Sequence, residues 1–202
     1  MFDPIAGKKL LLDLANVLES LHIKFFLIQG TALGAYRDKG FVATERDIDL
    51  GVLIENFAHR TGDIVKALVD KNIEVETWHR HSPFKFCHTI VAYIKGAKAD
   101  IVGFHKYKDK RFTCTPDDPV NVLEPYALVH DAVLLEQYQP VELFDRTFNV
   151  PCPIEDYLLC EYGLNWKTPA EDHISRTRIY NYVADLPNEY LNTEHRPNWR
   201  TA

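Results

Sequence analysis

An α/β chain of the α+β kind, a small mixed sheet with helices against it, is expected from three features of the sequence. One is an amphipathic stripe near the N-terminus. The second is a set of short apolar runs, at residues 24–29, 47–53 and 99–104, too brief for surface helices. The third is a longer helical pattern that separates the second run from those that follow.

Asp3-Pro4 suits an N-cap followed by the first helical residue. Leu10, Leu11, Leu14, Val17, Leu18 and Leu21 then recur at helical spacing, with Lys8, Asp13, Asn16 and Glu19 on the other side. Residues 24–29 read as a buried strand, and Ala32 to Arg37 as one or two helical turns after Gly30-Thr31. Residues 47–53 form the next strand. A second helix is expected from a cap at Asn56 through Lys71, with Phe57, Ile64, Val65, Leu68 and Val69 inward. Ile73, Val75 and Thr77 alternate with Glu74 and Glu76, as on a half-exposed strand. Phe84 to Tyr93 looks extended, and Ala99 to Phe104 is a further strand after a turn at Gly96. Beyond residue 115 prolines punctuate short segments, and Ile154 to Tyr162 reads as a helix ended by Gly163. One domain is expected over 1–169, with an irregular C-terminal extension, 170–202, docked on it.

At 202 residues and 46% hydrophobic, the chain is long enough to bury a core, and its net charge of −6 argues against nucleic acid as a partner. No signal peptide is expected, because acids interrupt the apolar positions of the first 20 residues. No apolar run approaches the about 20 residues of a membrane span. Cys87, Cys114, Cys152 and Cys160 show no CxxC or zinc-finger spacing, so a cytoplasmic chain with reduced thiols is expected.

The chemistry is concentrated between Phe25 and Val52. Asp47 and Asp49 share a strand face, roughly 6.6 Å apart by strand rise. Two carboxylates at that spacing can close on one hard cation, and the Gly30-Thr31 turn upstream can offer N–H groups and a hydroxyl to a phosphate. Asp100 opens an apolar strand, a costly place for an acid without a partner. If that strand lies beside residues 47–53, the three carboxylates converge. Mg²⁺ or Mn²⁺ would relieve their repulsion and bind phosphate oxygens. Asp100 could then take the proton of an attacking hydroxyl. The alternative is a solvated acidic edge. Glu45 is either a fourth ligand or a turn acid, and Arg46 a surface charge.

These residues resemble a known signature. GTALGAYRDKGF over Gly30–Phe41, followed by Asp47-Ile48-Asp49, is similar to the LicD/fukutin family of the nucleotidyltransferase (polymerase-β-like) superfamily. That family's pattern is Gly-Thr-x-Leu-Gly-x-x-Arg, then Gly-Phe-Ile-Pro and an acidic run ending in Asp-x-Asp. Ala99-Asp100-Ile101-Val102 resembles its third-carboxylate strand. Phe148 to Pro151, Tyr157-Leu158, and Tyr162-Gly163 through Trp166 to Pro169 resemble its C-terminal block. One departure is Ala43-Thr44-Glu45-Arg46, where the family has Pro-Trp-Asp-Asp.

The resemblance implies a nucleotidyltransferase fold, with Gly30 and Thr31 on donor phosphates and Asp47, Asp49 and Asp100 as catalytic and metal-binding acids. Arg37 would steady a phosphate, or else pair with Asp38 or Glu45. It implies transfer of a phospho-alcohol, such as phosphocholine or ribitol phosphate, from a CDP-linked donor to a glycan hydroxyl. A nucleotidyltransferase moving NMP from an NTP keeps the same site, and a catalytically silent binding module keeps only the fold. His79, His81, His88 and His105 are read as surface or structural. The basic run from Lys85 through Lys98 and Lys106 to Arg111 is read as a solvated face, and Trp166 and Tyr162 as packing of the last helix.

Overall fold

A computed structural model describes residues 2–44, 46–78, 88–114, 126–169 and 181–182 of the chain. Helix α1 (Pro4–Ser20) begins as its sequence dictates: the Asp3 carboxylate accepts from the N–H groups of Ile5 and Ala6, and proline takes the first helical position. Leu10, Leu11, Leu14 and Leu18 are fully buried, and α1 lies against α4 and the sheet.

Strand β1 (Phe26–Leu27) leads into the short helix α2 (Gln29–Leu33), which continues as a wider turn of helix over Gly34–Asp38. Strand β2 (Ile48–Leu53) follows, then α3 (Ile54–Phe57), a tight turn at Ala58–Arg60, and α4 (Thr61–Val69). The single helix expected from Asn56 to Lys71 is therefore two, and Asn56 lies inside the first rather than capping anything. Thr61 marks the break, its hydroxyl donating back toward the carbonyls of Phe57 and Ala58.

Next along the chain come β3 (Glu74–Trp78), β4 (Thr89–Ile94), β5 (Ala97–Tyr107), β6 (Lys110–Cys114) and β7 (Tyr126–Asp131). Among the described residues, eight strands form one mixed sheet. Its organising strand is β5, eleven residues long. On one side β5 runs parallel to β2, which pairs antiparallel with β1. On its other side, the first half pairs with β4, and β4 with β3; the last three residues pair with β6, which leads to β7. A short strand β10 (Asn181–Tyr182) pairs with β7; the rest of the expected 170–202 extension lies outside the described residues, as do His79, His81, Lys85, Cys87 and Glu45.

Strand alternation divides the sheet chemically. Ile48, Leu50, Val52, Ala99 and Ile101 are fully buried and face one way, while Asp49 and Asp100 face the other. The apolar face supplies the burial that holds the strands in register. A slip of one residue would put the acids into the core.

The proline-punctuated region holds more order than its sequence suggests. Helix α5 (Ala132–Glu136) precedes a hairpin of β8 (Tyr138–Leu143) and β9 (Arg146–Pro151), turned by Phe144 and Asp145 with φ of 54° and 60°. Two successive positive φ values suit a two-residue hairpin. Pro140 is tolerated because this hairpin is its own two-stranded sheet, where each strand has an open edge. Helix α6 (Ile154–Tyr162) then packs on β9, α5 and α2. Gly163 ends it with φ of 74° and an extended ψ, not the αL cap expected.

Candidate active site

The parallel register of β2 and β5 places Asp49 directly beside Asp100. Asp47 stands just before β2, two residues from Asp49 and on the same side. Carboxylate oxygens of the three residues all lie within 4.8 Å of one another. Asp49 and Asp100 are buried, at 7% and 8% exposure, whereas Asp47 is half-buried at the rim. The convergence expected from sequence is thus the geometry observed. A set of three hard oxygen donors, two of them withdrawn from water, suits Mg²⁺ or Mn²⁺ in ligand type.

A fourth group takes part. Lys98 is two residues before Asp100 and shares its strand face. Its Nζ lies 3.0 Å from Asp100 Oδ2 and 3.4 Å from Asp47 Oδ2. The sequence reading counted Lys98 with a solvated basic face; the structure places it in the acidic cluster. Strand period alone could have found it, since residues 98 and 100 must share a face.

The Gly30-Thr31 turn abuts these acids. The Asp49 N–H donates to Thr31 Oγ1 at 2.9 Å, and the Ile28 N–H to the Asp49 carbonyl. Gln29 adopts φ of 47°, a left-handed conformation costly for a residue with a side chain. Its N–H donates to the hydroxyl of Tyr157 at 3.0 Å, in a buried contact spanning 128 positions. Burial pushes the Tyr157 phenol well above its ordinary range, with the Glu161 carboxylate adding to the effect. It therefore stays a neutral hydroxyl. By sequence Tyr157 was only a member of the last helix and of the family-like C-terminal block; in the structure it is fully buried and accepts the hydrogen bond that holds the strained residue beside the Gly30-Thr31 turn.

The glycine at position 34 has a steric reason. A Cβ there would sit 2.4 Å from the Gly40 carbonyl oxygen and 3.0 Å from the Val42 nitrogen, both backbone atoms. The loop carrying Phe41 thus folds directly over the helix that follows the turn. Arg37 sits on the same helix. Its guanidinium forks onto Asp38, with Nε to Oδ1 at 2.7 Å and one terminal nitrogen to Oδ2 at 2.8 Å, and its other terminal nitrogen donates to the Trp166 carbonyl at 2.9 Å. The Trp166 ring packs near Tyr36, with centroids 5.9 Å apart. The C-terminal block and the glycine-rich block are therefore joined in space.

Other charged residues fall elsewhere. Arg111, read as part of a solvated basic face, is only 4% exposed and is held by Glu55 (2.7 Å) and Glu136 (2.9 Å). Lys106 also reaches Glu136, whose carboxyl is held below its ordinary range chiefly by that contact, with Arg111 adding to it. His105 is buried and stacked against Phe112, with His88 nearby. His130 and Glu161, which the sequence reading did not single out, form a buried pair at 2.9 Å behind Tyr157. Cys152 and Cys160 are free thiols.

A family model described as "LicD/FKTN/FKRP, nucleotidyltransferase domain" matches residues 22–153, a stretch that includes the turn and all three acids. The chain belongs to the LicD family. Curated relatives include the ribitol-5-phosphate transferase FKTN of Homo sapiens, 25% identical over 169 residues, and that of Mus musculus, 26% identical over 166. These alignments cover 82% and 81% of this chain but only 34% and 33% of the relatives, so the LicD chain spans about a third of their length. Among solved structures, that of ANT(2")-Ia in complex with adenylyl-2"-tobramycin aligns with a TM-score of 0.44 at 12% identity, covering 71% of this chain and 67% of that one. Among the described residues, no helix is long and apolar enough to cross a membrane.

Proposed function

We propose that this LicD-family chain is a metal-dependent transferase that moves a phospho-alcohol from a CDP-linked donor to a hydroxyl on a glycan. The convergence of Asp47, Asp49 and Asp100 beside the Gly30-Thr31 turn carries the reading. Membership of the family supports it, as does the likeness to relatives named ribitol-5-phosphate transferase.

Asp47, Asp49 and Asp100 would hold Mg²⁺ or Mn²⁺, which supplies charge neutralisation at the donor phosphates when bound. Backbone N–H groups of Gly30 and Thr31, in the first turn of a helix where such groups lack intrahelical partners, receive donor phosphate oxygens. The Thr31 hydroxyl ties that turn to Asp49, so phosphate and acids keep one spacing. Asp100 accepts the proton of the attacking acceptor hydroxyl as its oxygen bonds to the phosphorus bearing the alcohol, and the pyrophosphate bond breaks to release CMP. Arg37 braces the turn against Trp166; contact with a phosphate would require its fork on Asp38 to open.

The test is thermal stabilisation in the presence of Mg²⁺. CDP-ribitol, CDP-choline or CDP-glycerol should raise Tm, and the responsive donor should yield product carrying the phospho-alcohol by mass spectrometry. A response to ATP or CTP alone would transfer the site to NMP chemistry. No response to any nucleotide would leave a binding module.

A further inference from the structure

We propose that Lys98 is a built-in counter-cation that competes with the divalent ion for Asp47 and Asp100, and leaves them when the ion binds. The inference rests on the reading of those acids as a cation site, and deepens it by naming what the site does before the ion arrives.

The observation is the position of one ammonium. Lys98 Nζ bridges Asp47 Oδ2 and Asp100 Oδ2, at 3.4 Å and 3.0 Å. Asp100 lies on β5 and Asp47 just before β2, and both belong to the cluster whose oxygens lie within 4.8 Å of one another. Three carboxylates at that distance, partly shielded from water, repel one another and destabilise the fold that assembles them. The ammonium offsets part of that repulsion without any ligand.

The same position creates a conflict. A divalent cation taking oxygens from Asp47 and Asp100 would sit within a few ångströms of a positive charge that holds the same carboxylates. Both cannot occupy those oxygens at full strength, so binding of one weakens binding of the other.

Lys98 is suited to exchange. Its side chain is 30% exposed, against 12% for that of Asp100, so the ammonium lies on the solvent side of the buried acid. The four-carbon stem is flexible, and lysine binds as a rotatable point charge rather than a rigid fork. On the adjoining strand, Tyr93 pairs in register with Lys98, and its hydroxyl donates to Glu76 of β3 at 3.3 Å. The face beyond the cluster is therefore polar and acidic, a surface on which a displaced ammonium can rest. In that outward position Lys98 stands at the mouth of the site, where an anionic donor would enter.

The experiment compares Mn²⁺ affinity, by electron paramagnetic resonance or calorimetry, in wild type, Lys98→Met and Lys98→Arg. The expected result is that Lys98→Met binds Mn²⁺ about 10-fold more tightly, the size of one close charge–charge interaction largely screened by water, as suits a partly exposed ammonium. Its metal-free form should melt at a lower temperature than wild type, and added Mn²⁺ should narrow that difference. Lys98→Arg should keep an affinity near that of wild type. A second measurement uses the unmodified chain: the ¹⁵Nζ resonance of Lys98 should shift on titration with diamagnetic Mg²⁺, in step with saturation. Equal or weaker Mn²⁺ affinity in Lys98→Met, or an unmoved Lys98 resonance at saturating Mg²⁺, overturns the exchange and leaves the metal site standing. Absence of Mn²⁺ binding in all three proteins overturns the metal site and the exchange together.

Discussion

The two ends of β5 carry two charged clusters built on opposite principles. At the start of the strand three carboxylates gather, and the Lys98 ammonium bridges two of them, Asp47 and Asp100. At its end, Arg111 and Lys106 face two carboxylates, Glu55 and Glu136. The second cluster is balanced, and the Arg111 guanidinium reaches both acids and the Phe104 carbonyl. It needs nothing from outside. The first keeps two of its carboxylates buried, and its bridging cation is a flexible ammonium, not a guanidinium fork. Charged clusters at the two ends of one strand are thus built differently, one around a bridging ammonium and the other around a guanidinium held by two acids. The kind of cation, a rotatable point charge or a rigid fork, separates them.

The sharpest way to break this comparison is Asp49→Asn. Activity should fall by on the order of 10³-fold, as expected when several kcal/mol of transition-state stabilisation by a metal is lost. Mn²⁺ affinity should fall with it, while the metal-free Tm stays unchanged or rises because a repulsive charge is gone. A large drop in Tm would instead make Asp49 a structural residue.

Arg111→Met should do the reverse. It leaves Glu55 and Glu136 facing each other and should cost about 2–4 kcal/mol in urea unfolding, below the full buried-pair penalty because both acids reach solvent. Mn²⁺ affinity should not change.

Tyr157→Phe sits between the two behaviours. It removes the acceptor for a buried N–H and should cost about 1–3 kcal/mol of stability. It also frees Gln29, so the donor KM should rise while Mn²⁺ affinity is retained. A stability loss with an unaltered KM would confine Tyr157 to packing.

The smallest effect concerns acid. The Glu136 carboxyl is held below its ordinary value of 4.5 by Lys106 and Arg111. A depressed carboxyl contributes stability above its unfolded pKa and loses it as pH falls through the folded value. The urea midpoint should therefore decline below about pH 4.5, and Arg111→Met should make that decline shallower. An identical slope in both proteins would mean that Arg111 does not hold Glu136.

Legibility in the sequence followed the range of the physics. Asp47 and Asp49 were readable because strand period alone puts them on one face, and α1 because its leucines repeat at helical spacing. The hairpin of β8 and β9 was not, since Pro140 and Pro151 read as breaks until the open edges of a two-stranded sheet are known. Arg111 read as surface because its acids, Glu55 and Glu136, are 56 and 25 residues away. The hydrogen bond of Tyr157 was not readable because Gln29, its partner, is 128 residues distant.

By itself the sequence determined the members of the candidate site: the glycine-threonine turn, the aspartate pair and the third acid, each marked by local pattern and by resemblance to one family. Only the tertiary structure decided their relation. Parallel pairing of β2 with β5 brings Asp100 level with Asp49, and no local propensity encodes which strands become neighbours. The same pairing puts Lys98 among the acids. That placement turns a residue read as a surface charge into the cation with which any metal must compete.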